Sequence, residues 1–259
     1  MIEPKLHEKE NERIKNLKSY SILDTLPEDD YDNLTAIAAQ ICDTPISLVS
    51  LIDSDRQWFK SHHGTDTAET PREYAFCGHA INQPDEILLV QDSRKDKRFH
   101  DNPLVINDPH VIFYAGIPLI SDQNLPLGTL CVIDHKPRNL NQNQLDSLKA
   151  LSKQLMNLFE LRKNKLLLEE TINALEKAKI GRKAMTYVLI VAVVLLIISE
   201  AIVEPKIEIW TAVKFSAYWA FWVGLFLKLI IAFLIKPGEM MLERRFLKSA
   251  RKEAMKQKT

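Results

Sequence analysis

The chain has 259 residues, 46% hydrophobic and 26% charged, with 7 glycines and no internal repeat, a globular composition rather than a disordered or collagen-like one. Its 34 Lys and Arg balance 34 Asp and Glu, so no overall basic excess points to nucleic acid. Three cysteines, Cys42, Cys77 and Cys131, stand 35 and 54 residues apart, which excludes a CxxC zinc or redox pair and suits a reducing compartment.

The first fifteen residues, MIEPKLHEKENERIK, are charged and lack an apolar stretch, so they do not read as a signal peptide. Ile14, Leu17, Tyr20 and Leu23 recur at helical spacing before Pro27 begins a turn. Tyr31, Leu34, Ile37, Ala38 and Ile41 mark one face of a second helix, 28–42, ended by Pro45. ISLVSLI at 46–52 reads as a buried strand, Asp53-Ser54-Asp55 as a turn and 56–62 as the returning strand. Residues 64–72 read as a polar loop, 76–82 as a short helix and 87–91 as a strand. The charged stretch DSRKDKRFHDN at 92–102 has no period, and two more strands, 111–120 and 127–133, flank the turn SDQNLP. From Asn141 to Lys179 the spacing is helical. Leu148, Leu151, Leu155 and Leu158 form one stripe, and Leu168, Ile172 and Leu175 a second, offset at 161–165 as in a coiled-coil stutter.

Two apolar runs follow. The first, 184–203, is 20 residues long, about 30 Å as a helix, which matches a bilayer core. The second spans 215–235, and the linker between them is short. The pair reads as a transmembrane hairpin. Arg182 and Lys183 precede the first run, and Lys236, Arg244, Arg245 and Lys248 follow the second, so both ends are expected in the cytoplasm of an inner membrane. Glu200, Lys214 and Lys228 are the charges within or beside the spans, and intramembrane charges are functional suspects. From Lys236 to Thr259 eight Lys and Arg stand against three Glu. That basic tail suits anionic lipid rather than nucleic acid.

Six segments then resemble one family in the right order: NERIKNLKSYSILDTLPEDDYDNLT, TPISLVSLIDSDRQWFKSHHG, TPREYAFCGHAI, VQDSRKDKRFHDNPLV, FYAGIPL and LGTLCVIDHKPRNL. They resemble a GAF domain of the bacterial subtype found in sensor kinases and cyclic-dinucleotide enzymes. The resemblance implies an α/β fold, an antiparallel sheet with helices on one face and a ligand pocket on the other, and pairing of two copies through terminal helices. It implies a pocket lined by Trp58, Phe76, Cys77, His79, Phe113, Tyr114 and Cys131. Two positions depart from the family pattern. Gly78 stands where Ala is usual, and Ile112 where an Arg often precedes FYAG, which removes a binder of anionic ligands.

These residue types are compatible with several chemistries. Cys77 and His79 could make a thiolate or metal site, but packing at a helix start accounts for them. His62, His63 and His79 are the haem candidates, and the nucleotide-binding NKxxxFxxxDE pattern is absent. Free methionine sulfoxide reductases are GAF domains with three cysteines. There, two cysteines lie close in sequence, whereas the wide gaps here favour buried core thiols over a disulfide cascade, whose thiols must meet. Asp92, Asp96 and Asp101 alternate with Arg and Lys that would repel a cation.

The sequence therefore predicts a GAF sensory domain at 1–160, a linker helix at 161–183, spans at 184–203 and 215–235, and a basic tail at 236–259. The expected function is a membrane-anchored cytosolic regulator, not an enzyme, with no catalytic residues, no metal and no assigned cofactor. Its expected partners are membrane lipid, a second copy through the linker helix and a small-molecule ligand. A gated membrane pore is the alternative, and a sulfoxide reductase-like thiol enzyme a third reading.

Overall fold

Strands form in the first half of the chain where its apolar runs are short, β-branched and bounded by turn residues. The computed structural model describes residues 1–203, and beyond them 205–206, 209, 222, 225–226, 229–230, 233, 237, 240–242 and 244–245. Helices α1 (Glu10–Ser19) and α2 (Asp29–Cys42) precede strands β1 (Ile46–Ile52), β2 (Arg56–His63) and β3 (Glu69–Pro71). A short helix α3 (Phe76–Ala80), strand β4 (Leu88–Val90), helix α4 (Pro103–Ile106), strands β5 (Phe113–Ile120) and β6 (Pro126–Asp134) and helix α5 (Gln142–Ile198) follow. The strands form one sheet in the order β3-β2-β1-β6-β5-β4, antiparallel throughout. The expected loop at 64–72 thus contains an edge strand. It is short and ends in Pro71, which an edge tolerates because its free side needs no N–H.

Alternation along the strands sends side chains into two separate cores. Val49, Leu51, Phe113, Ala115, Leu130 and Val132 face one way, against Leu17 and Tyr20, Ala38 of α2, and Leu148, Leu155 and Phe159 of α5. Leu48, Ile52, Phe59, Tyr114, Cys131 and Ile133 face the other way, against Phe76, Cys77 and Ala80 of α3 and Phe99. Helices therefore cover both faces, with the long ones on the first.

Two ionic networks fasten the first face. The Arg13 guanidinium is fully buried, donating to Ile52 O at 2.7 Å and to both Glu10 oxygens at 2.6 and 2.9 Å. Arg72 also donates to Glu10, at 2.6 Å. Burial alone would raise the Glu10 carboxyl, but these two guanidinium groups hold it down to about 2. Lys60 Nζ donates to Thr25 Oγ1, Leu26 O and Glu28 Oε1 at 2.9, 2.7 and 2.6 Å. Arg162 of α5 reaches the same Glu28 oxygen at 2.8 Å. Glu28 thus ties strand β2 to helix α5, and its carboxyl lies below the ordinary range because the two cations outweigh burial.

The chain divides into two compact units, Met1–Leu166 and Leu167–Thr259. The expected linker helix and first span are not separate elements: α5 is continuous from Gln142 to Ile198 and ends in a π-turn, Ser199–Val203, that contains Glu200. Among the described residues this is the one helix long and apolar enough to cross a membrane, and only 12% of its most apolar window is buried. The expected second span, 215–235, lies largely outside the described residues, as do Lys214 and Lys228, so a transmembrane hairpin is not part of the observed fold. The stripe residues Leu168, Ile172 and Leu175 are exposed.

Candidate functional site

The second face of the sheet holds the site. α3 is held against β1, β5 and β6, and its first turn points Phe76 and Cys77 inward. Phe76 stacks on Phe99 with ring centroids 3.9 Å apart and planes 11° apart, and sits 5.1 Å from the Tyr114 ring. All three rings are buried. Sequence reading missed Phe99, because the charged segment around it carries no period.

Below these rings is a polar cluster around one sulfur. Tyr114 OH donates to Cys77 Sγ at 3.2 Å and Thr129 Oγ1 donates to it at 3.0 Å. The Cys131 thiol bonds the same sulfur, while the buried Ser50 hydroxyl has no hydrogen-bond partner. Burial alone would raise the Cys77 thiol. Hydrogen bonds from Cys131, Thr129 and Tyr114 outweigh burial and bring it below the ordinary thiol value. The Cys131 thiol is pushed up, first by its bond to Cys77 and then by burial, and the Tyr114 phenol is pushed up by burial. The arrangement lowers the cost of a thiolate on Cys77 and keeps protons on its neighbours. Gly116 makes room for it, because a Cβ there would run into the Tyr114 phenol lying along β5.

The structure thus brings Phe76, Cys77, Tyr114 and Cys131 together and adds Thr129, Ser50 and Phe99. Thr129 was legible as the residue two before Cys131 on one strand, which shares its face. All three thiols are buried, as expected, and the 54 residues between Cys77 and Cys131 are closed by α3 packing on β6. Trp58 and Phe113 are not in this cluster. Both face the first core, because each alternates with a neighbour, Phe59 or Tyr114, that faces the second. Trp58 lines a separate cleft of about 430 Å³ with Asp32, Lys60, His62 and His63. His79 is half-buried and does not serve Cys77. Its ring meets Phe99 edge-on at 5.0 Å, and Nε2 bonds Ile2 O at 3.0 Å.

The N-terminal segment covers the outside of α3. Ile2 N–H donates to Arg98 O at 3.0 Å and Asn82 Nδ2 to Lys5 O at 2.8 Å. Among the described residues no group of three or more His, Cys, Asp or Glu could hold a metal ion. Asp92 and Asp96 are bonded by Arg94 and Arg98 instead.

Comparison with known proteins agrees with this architecture. The GAF domain family model matches residues 27–158. A cyclic di-GMP phosphodiesterase of Pseudomonas aeruginosa is 38% identical over 138 residues, 53% of this chain but 23% of that protein. The GAF domain of an Acinetobacter phosphoenolpyruvate-protein phosphotransferase is 17% identical with a TM-score of 0.43, over 58% of this chain and 94% of that one. A free methionine-R-sulfoxide reductase from Neisseria meningitidis is 16% identical with a TM-score of 0.44, over 64% and 98%. Those two likenesses carry no argument about ligand or chemistry. The expectation of a non-enzymatic protein is corrected, because the phosphodiesterase relative is named for an enzymatic activity, although the chain spans only 23% of its length. With its family model matched across both cores and the connecting sheet, the chain belongs to the GAF domain family, a family of sensory modules.

Proposed function

We propose that this chain is a membrane-anchored GAF sensor whose GAF unit lies in the cytoplasm and whose response bears on cyclic di-GMP turnover. The observation that carries the reading is the continuity of α5. Its first turns contribute Leu148, Leu155 and Phe159 to the GAF core, and its last turns expose Val191, Val193 and Leu195. A signal that favours one packing of Phe159 against Tyr20 and Tyr31 would bias the whole helix, since a helix transmits displacement along its hydrogen-bonded axis. The stripe of Leu168, Ile172 and Leu175 suits pairing with a second copy. The basic residues around the apolar runs support the cytoplasmic orientation and a return of the chain through a second span at 215–235. The cyclic di-GMP assignment rests on the phosphodiesterase relative.

Two measurements test it. The full chain should remain with membranes through alkaline extraction, and its release would overturn the anchor. Cellular cyclic di-GMP should change when the full chain is expressed and return to baseline in Lys179→Pro. Proline breaks the helix at a cost of about 3 kcal/mol without touching the GAF core. An unchanged level in both would overturn the assigned output.

A further inference from the structure

Cys77 and Cys131 are unusual among buried thiols in how their surroundings are built. They come from different elements, α3 and β6, yet point into one space, and both are essentially inaccessible to water. Two hydroxyl donors, Thr129 at 3.0 Å and Tyr114 at 3.2 Å, converge on the Cys77 sulfur, and the third donor is the Cys131 thiol. A thiol is a poor acceptor and seldom collects three donors, whereas a thiolate needs them when buried. The remaining cysteine, Cys42, has none of this. It lies on α2 in the opposite core, and burial pushes it up to about 11. The cover over Cys77 is thin: a five-residue helix and, outside it, the segment around Ile2–Lys5. Short elements with few bonds open locally far more often than the whole domain unfolds.

We propose that Cys77 and Cys131 are an oxidant-sensing pair that closes into a reversible internal disulfide when a small hydroperoxide reaches them. The Cys77 thiolate attacks one peroxide oxygen and the O–O bond breaks. The departing hydroxide takes up the proton released earlier by Cys77 and leaves as water, so that Cys77 becomes a sulfenic acid. The Cys131 sulfur then attacks the Cys77 sulfur. The S–S bond forms, the S–O bond breaks, and the hydroxyl departs as a second water with the Cys131 proton. Two thiols lose two electrons and two protons in total, and one hydrogen peroxide becomes two waters. The bond would fix α3 to β6 beneath the Phe76–Phe99 stack, the part of the fold where a GAF signal is received. The consequence for signalling rests on the sensory reading above, while the chemistry does not.

The test uses the reduced full chain in detergent micelles, treated with hydrogen peroxide, then unfolded in an alkylating agent and mapped by mass spectrometry. One alkylatable cysteine, Cys42, should remain, with a peptide cross-linked between Cys77 and Cys131 that dithiothreitol restores. Cys131→Ser should stop at a Cys77 sulfenic acid captured by dimedone, and Cys42→Ser should behave as the native chain. Circular dichroism before oxidation checks that each variant is folded. Three alkylatable thiols after peroxide, or cross-links that involve Cys42 or a second chain, would overturn the pair. Because the readout is mass alone, this proposal can fail while membrane anchoring and the cyclic di-GMP response stand.

Discussion

Gly78 lies directly beneath Pro4: a Cβ built on Gly78 would stand 2.8 Å from both Cβ and Cγ of the proline ring. That approach explains the departure from the family's usual alanine. The missing methyl is the seat of the N-terminal segment, which then reaches Arg98, His79 and Asn82 through its backbone.

Gly78→Ala should lift this segment. Overpacking of this kind costs about 1–3 kcal/mol, although alanine's better helix propensity offsets part of it. Hydrogen exchange at the Ile2 amide should accelerate, and Pro4→Gly combined with Gly78→Ala should recover most of the lost melting temperature. Equal exchange in Gly78→Ala and the native chain would show that the contact holds nothing.

Glu10 should shape the acid limb of stability. Its folded-state carboxyl sits at about 2, below the ordinary 4.5, so its contribution is full above 4.5 and fades as pH falls from there toward 2. Denaturant titrations across that window should show a shallower loss in Glu10→Gln than in the native chain, with the variant less stable at neutral pH. Parallel curves would mean that Arg13 and Arg72 do not stabilise the ionised carboxylate.

Lys60→Met keeps the stem but removes the cation. Leu26 O loses its donor, and Glu28 is left with Arg162 alone. A loss of about 1–3 kcal/mol is expected, in line with charged hydrogen bonds removed from one side. Chemical denaturation reads it directly, and because Glu28 also holds Arg162, protease sensitivity near Arg162 should rise in the same variant.

Tyr114→Phe removes one of the donors on the Cys77 sulfur while keeping the ring against Phe76. The thiol should then titrate at higher pH, and the ultraviolet absorbance of the thiolate should rise later along a pH series. A titration curve identical to that of the native chain would assign the depressed thiol to Thr129 and Cys131 alone.

How much of this was legible beforehand depended on the kind of signal each element carries. Helix α2 and the stripe on α5 were legible because one apolar face against solvent leaves a period in the sequence. The edge strand Glu69–Pro71 was not, since three residues with a proline carry no period and take their conformation from pairing with β2. The pocket residues separate in the same way. Cys77 and Cys131 were named from the family resemblance, but their contact depends on α3 docking across β1, β5 and β6.

The sequence by itself determined the family, the order of the main elements, the long exit helix and the presence of an apolar segment long enough for a membrane, because each is written in local pattern and length. Only the tertiary structure decided which side of the sheet each residue serves. FYAGIPLI of β5 is buried on both faces, so it has no alternation between apolar and polar to read. The register that turns Phe113 toward α5 and Tyr114 toward Cys77 is fixed by pairing with β6. Three donors meet on one sulfur because strands and a helix far apart in the chain are packed there together.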